Sequence, residues 1–157
     1  MSLLDYLATP RIKYGLLAGC AGLLLTSLSS YLFGICGTLV GLLAGSAAGF
    51  LTSRKENELT PQAASRAGMV SGSVAGILVL LGQLIGTAIS IAVMQNEQLS
   101  LIMQVQPAGT SLQSVQGFYW SSGLGFGFCL GLTGLVFSVL AGGAVSYLIS
   151  RRNLPSR

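Results

Sequence analysis

Between Tyr14 and Thr52 the chain reads YGLLAGCAGLLLTSLSSYLFGICGTLVGLLAGSAAGFLT, 39 residues without a charged side chain. As one helix rising 1.5 Å per residue it would be about 58 Å long, nearly twice the roughly 30 Å hydrocarbon core of a bilayer. Ser27, Ser29, Ser30 and Gly34 interrupt it near its middle, so the stretch predicts a tight helical hairpin. Charge agrees. Arg11 and Lys13 precede the stretch and Arg54 and Lys55 follow it, and the two groups share one side of a membrane only if the chain crosses twice.

The rest of the 157-residue chain has the same character. Hydrophobic residues make up 52% and charged residues 8%, with 22 glycines. A soluble domain carries about 25% charged residues, so these side chains cannot coat a water-facing surface and an integral membrane protein is expected. There is no histidine, and the only acids are Asp5, Glu56, Glu58 and Glu97. Haem ligation by histidine and Ser-His-Asp chemistry are thereby excluded, and no phosphate-binding loop or paired carboxylate is present. The net charge of +4 comes from short basic groups beside apolar runs, which reads as membrane topology and not as nucleic-acid binding.

Outward from the hairpin, Leu3, Leu4, Tyr6 and Leu7 around Asp5 suit a short helix lying on the membrane surface. Thr9-Pro10 and Thr60-Pro61 each place an N-cap before a proline at the first helical position. Gln95 to Gln116 is rich in Gln and Ser, with Pro107 and Gly109 as turn signals, and reads as a loop that rests partly on the membrane. Tyr119 and Trp120 mark an interfacial belt. The predicted organisation is an interfacial N-terminus at 1–9, membrane helices at 10–30, 34–53, 61–94 and 118–150, an extracytoplasmic segment at 95–117 and a cytoplasmic tail at 151–157. Every basic residue (Arg11, Lys13, Arg54, Lys55, Arg66, Arg151, Arg152, Arg157) then falls on one side and the opposite loop holds only Glu97. This places both termini in the cytoplasm, with a prokaryotic inner membrane as the expected location.

An internal duplication is also expected. AGSAAGFLTSRK at Ala44–Lys55 matches AGGAVSYLISRR at Ala141–Arg152, identical at six of twelve positions with an offset of 97. A looser match at an offset of 53 pairs Lys13 with Arg66, Gly15 with Gly68 and Gly19 with Gly72. Two tandem hairpins starting on the same side would be related by an axis along the membrane normal.

Small residues recur every fourth position, at Gly37, Gly41, Gly45 and Gly49, at Gly68, Gly72 and Gly76, and at Gly123, Gly127 and Gly131. Such rows let helix backbones approach closely where lipid gives no hydrophobic drive, so an all-α membrane fold of four helices with glycine-zipper packing is predicted. The same grooves could seat a partner subunit. Gln83 is the one amide well inside a predicted span, expected to bond between helices and otherwise available to line a path. Leu17-Ala18-Gly19-Cys20 fits a lipobox, but only six positions separate Lys13 from Cys20, too few for a signal-peptide core. Cys20, Cys36 and Cys129 are single, far apart and inside apolar helices, so they read as small packing residues and not as metal or redox sites.

The string GTLVGLLAGSAAGFLTSRKENELTPQAASRAGMVSGSVAGILVLLGQLIG, residues 37–86, resembles the small glycine-rich multi-pass membrane proteins of unknown function in bacteria and archaea, a resemblance that implies no activity. Ala47, Phe50, Arg66, Gly72 and Gly76 are similar to parts of the pattern of the mitochondrial preprotein and amino-acid translocase family. That pattern places an acid four residues after the arginine, where this chain has Val70, and its spacing from the aromatic residue to the arginine is shorter; the assignment is not adopted. No catalytic residue, metal ligand or cofactor is expected. The predicted role is a structural accessory subunit of a larger membrane complex, respiratory or photosynthetic, with lipid and other transmembrane subunits as partners. The competing expectation is a small channel or carrier for a neutral or apolar solute, lined at Gln83.

Overall fold

A computed structural model describes residues 9–32, 37–56, 60–105 and 111–153. The protein is all-helical, with α1 at Pro10–Leu32, α2 at Gly37–Lys55, α3 at Pro61–Val105 and α4 at Leu112–Asn153. The predicted surface helix at the N-terminus, Cys36, the turn signals Pro107 and Gly109, and Arg157 lie outside the described residues.

Helix starts follow local chemistry. The Thr9 carbonyl accepts the amides of Ile12 and Lys13, both at 3.1 Å, and Pro10 supplies a preset φ without a hydrogen to satisfy. Thr60 caps α3 through its hydroxyl, which accepts from the Ala63 amide at 3.4 Å. Ser111 caps α4 in the same way, accepting from the Ser114 amide at 3.3 Å.

Three helices, α1, α3 and α4, are long and apolar enough to cross a membrane. The second predicted span, α2, is not among them. It has 19 residues ending in Arg54-Lys55, so any 18-residue window within it includes a basic side chain. At 45 and 42 residues, α3 and α4 are roughly 68 and 63 Å long. Both exceed the sequence-based bounds. The segment 95–117, expected to be a loop, is helical on both sides of residues 106–111. Its Gln, Glu, Leu and Met residues are good helix formers, and polarity alone does not separate a loop from a helix that leaves the bilayer.

The helices pack as a lozenge. α2 and α3 touch each other across its short diagonal, and each also touches both α1 and α4, whereas α1 and α4 make no contact among the described residues. α1 runs parallel to α3, with Gly15 against Ser71, Gly19 against Ala75 and Gly22 against Val79. α2 runs parallel to α4, and α3 antiparallel to α4. This arrangement corrects the expected symmetry. An axis along the membrane normal relating the two hairpins would make the α2–α3 and α1–α4 contacts equivalent, and only the first exists.

The interior is built from small residues and the exterior from large ones. Buried apolar positions include Ala18, Ala44, Ala48, Ala64, Ala67 and Ala75, while Leu17, Leu24, Leu28, Leu39, Leu43, Val93 and Phe126 are each at least 60% exposed. In water so much exposed apolar surface would drive association; against lipid tails it is the matched surface.

Candidate functional site

The tightest contacts form where α2, α3 and α4 meet. Along α2, a methyl built on Gly41 would lie within 3 Å of the Gly134 backbone, one on Gly45 within 3 Å of Ser138, and one on Gly49 within 3 Å of Gly142. From the other side, the same construction on Gly134 meets the Gly37 carbonyl and on Gly142 the Gly45 carbonyl. Glycines 37, 41, 45 and 49 therefore alternate with Gly134, Ser138, Gly142 and Ser146, each four residues apart, like the rungs of two interleaved ladders. A side chain at Gly41, Gly45 or Gly49 would strike backbone, which cannot move aside without separating the helices.

α3 closes on the same row of α4. Gly68 lies against Gly142 and Ser146, Gly72 against Ser138 and Gly76 against Leu135. Further along, Gly131 meets Leu80, Gly127 meets Thr87 and Gly123 meets Ile91. Gly142 thus has close backbone neighbours on two helices at once, the carbonyls of Gly68 and Gly45.

Hydroxyls knit this region without competing for water. The Ser138 hydroxyl donates to the Gly72 carbonyl at 2.8 Å, and that of Ser146 to the Gly49 carbonyl at 2.9 Å. On α1, Thr26 donates to the Gly22 carbonyl of its own helix at 2.8 Å and approaches the Val79 carbonyl at 3.4 Å. Ser27 donates to the Leu23 carbonyl at 2.8 Å and approaches that of Gly82 at 3.3 Å. In a medium without water, a carbonyl one turn back is the nearest partner that satisfies a hydroxyl.

Among the described residues Gln83 is the largest fully buried side chain, 1% exposed. Its carboxamide abuts Gly37 at the start of α2 and its stem lies beside Gly131 on α4. Thus Gly37, Gly131 and Gln83 converge from three helices.

Charge gathers at the opposite end of the bundle. Arg11 Nε donates to both carboxylate oxygens of Glu56, at 3.0 and 3.2 Å, tying the start of α1 to the residue after α2. Arg54 stacks over the Phe50 ring at 4.9 Å. Lys13, Arg66, Arg151 and Arg152 are exposed at this same end, where α1 and α3 begin and α2 and α4 finish.

One expectation needs revision. Cys20 and Cys129 are exposed on the outside of the bundle, so they are not interior packing residues; composition gave no helical phase. The α4 row of Gly134, Ser138, Gly142 and Ser146 is not a glycine repeat, because two of its members are serines. Its signal lay in the 97-residue self-match, which aligns Gly45 with Gly142 and Gly49 with Ser146. Among the described residues no group of three or more His, Cys, Asp or Glu is placed to hold a metal ion.

No protein family, no curated protein and no solved structure matches the chain.

Proposed function

We propose that the protein is a non-catalytic accessory subunit that crosses the membrane four times, packs by glycine zippers and braces a larger membrane complex. The observation that carries this reading is the unequal length of the two hairpins. Ser27 of α1 is level with Gly82 of α3, so the end of α1 at Leu32 lies beside about residue 87, yet α3 continues to Val105, about 27 Å further. Beyond the end of α1, among the described residues, α3 and α4 pack on each other, with Trp120 Nε1 donating to Gln95 Oε1 at 3.2 Å and with Leu99 and Val115 buried. Leu101, Val105, Leu112 and Phe118 stay 56–87% exposed there. A two-helix projection with exposed apolar surface suits a subunit that contacts another protein.

Two features add support. Positions 97 apart meet at Gly37–Gly134, Gly45–Gly142 and Gly49–Ser146, as they would if a duplicated hairpin were laid beside its copy. The basic end and the long, nearly uncharged opposite hairpin follow the charge bias of cytoplasmic and external faces. The burial of Gln83 counts against the channel or carrier reading, since an amide lining a path would face open space.

The test is extraction in mild detergent followed by size-exclusion chromatography and identification of co-purifying chains. A stable hetero-assembly that survives neutral replacement of Asp5, Glu56, Glu58, Glu97 and Gln83 but is lost with Gly41→Leu supports the reading. A free monomer or a homo-oligomer overturns it.

A further inference from the structure

The lateral groove between α1 and α2 has no role in the reading above. It has a volume of about 290 Å³ and apolar walls, Leu17, Ala21 and Leu25 from α1 facing Leu43, Ala47 and Leu51 from α2. From Leu17 to Leu25 it runs eight residues, about 12 Å, most of the roughly 15 Å that one leaflet contributes to the hydrocarbon core. Both walls continue into cations at the same end. Lys13 lies four residues before Leu17 and Lys55 four after Leu51, so each shares a helix face with its groove residue. Lys13, Arg54 and Lys55 are exposed. The one ion pair among the described residues joins Arg11 to Glu56, and these two line a separate cavity with Thr9, Pro10, Ile12 and Val70. Among the described residues, Glu56 is the acid at this end of the bundle, and it is already engaged by Arg11.

The geometry points to a binding site for one anionic phospholipid of the leaflet at the basic end, its acyl chain in the α1–α2 groove and its phosphate held by Lys13 and Lys55. A molecule apolar over one leaflet's depth and negatively charged at the headgroup level matches both the length of the groove and the place of its charges. Lysine suits this role because its stem can lie along apolar surface while the ammonium reaches the interface. Basic pockets between helix ends are a general means of headgroup recognition. Among the described residues the groove spans about one leaflet's depth, short of the two that a partner's transmembrane helix would need.

The experiment titrates the full chain in detergent with phosphatidylglycerol and with phosphatidylcholine of the same acyl chains, reading bound lipid per chain by native mass spectrometry. The wild-type protein should retain phosphatidylglycerol preferentially. Lys13→Gln with Lys55→Gln should weaken that lipid about 30-fold and leave phosphatidylcholine unchanged. Ala47→Phe, which fills the groove from an exposed position, should weaken both lipids. Arg151→Gln with Arg152→Gln removes the same charge from α4, which does not touch α1, and should change neither; helicity by circular dichroism confirms that each variant is folded. Competition by inorganic phosphate at equal concentration should be absent, because a free anion leaves the groove empty.

Equal binding of the two lipids to the wild-type chain would overturn the assignment. So would equal losses from the α4 variant and the lysine variant, or retention of phosphatidylglycerol by Ala47→Phe. A polypeptide found in the groove's place, displaced by Ala47→Phe while no lipid is retained, would overturn it too. None of these outcomes depends on whether a larger complex exists.

Discussion

At single residues, volume matters more than chemistry. Gly41 and Gly45 face the backbone of α4 at Gly134 and Ser138, and a leucine there must push two helices apart along their whole crossing. Gly41→Leu or Gly45→Leu should destabilise the bundle by about 3 kcal/mol or more. Leu42→Phe, beside them on the exposed face, should stay within about 0.5 kcal/mol because lipid adapts to its bulk. Thermal unfolding in detergent, followed by circular dichroism, checks both, and equal tolerance would mean that the glycine row packs against nothing. Hydroxyls contribute less. Ser138→Ala and Ser146→Ala remove bonds of 2.8 and 2.9 Å but leave small side chains in place, and each should cost about 0.6 kcal/mol in the same measurement. The glycine row of α2 was legible in the sequence because four glycines at a fixed interval have few other uses in an apolar helix. Its counterpart on α4 was not, because two of its four members are serines. Nor was the phase of Cys20 and Cys129 legible, since an apolar helix carries no polar face to orient it.

At the level of elements, helix starts were readable and helix lengths were not. Thr9-Pro10 and Thr60-Pro61 announce α1 and α3 through chemistry confined to one turn. The continuation of α3 through Gln95 to Val105 depends on a partner, α4, that comes later in the chain. Leu99 on α3 and Val115 on α4, 7% and 6% exposed, are the apolar side chains buried at this end. Leu99→Ala should therefore speed amide hydrogen exchange across 95–105 and 112–119 while leaving 64–82 protected, since the small-residue contacts there are independent of the projection. Uniform acceleration along α3 would show instead that the two regions unfold as one unit. The Arg11–Glu56 pair has a lesser part: Arg11 is 43% exposed, and solvent screening holds such a pair to about 0–1 kcal/mol.

For the whole molecule, the distribution of charge defines two ends. Seven described basic residues (Arg11, Lys13, Arg54, Lys55, Arg66, Arg151 and Arg152) gather at one end, and Glu97 lies on the projection at the other. With the native cysteines replaced by alanine, a cysteine at Glu97 should react with a membrane-impermeant thiol reagent in intact cells. One at Gln62 should react only after the membrane is opened, and the reverse pattern would invert the proposed orientation. Composition sufficed to read the membrane class, because a chain with 8% charged residues has nothing with which to cover itself in water. The lozenge arrangement was beyond such reading. Small-residue rows occur on all four helices, and a sequence does not say which rows face each other.

The two interleaved rows have a property that a less regular contact lacks. A pattern repeating every four residues coincides with itself after a shift of four, so sliding α2 along α4 by one notch, about 6 Å, recreates most of the same contacts. The repeat alone therefore cannot fix the vertical position of the helix. That task falls to the places where the pattern is broken: the Gln83 carboxamide against Gly37 at one end, the Ser146 hydroxyl on the Gly49 carbonyl near the other, and the Arg11 tether to Glu56 beyond it. The regular glycines supply closeness, and these few irregular side chains act as the index marks on a vernier scale.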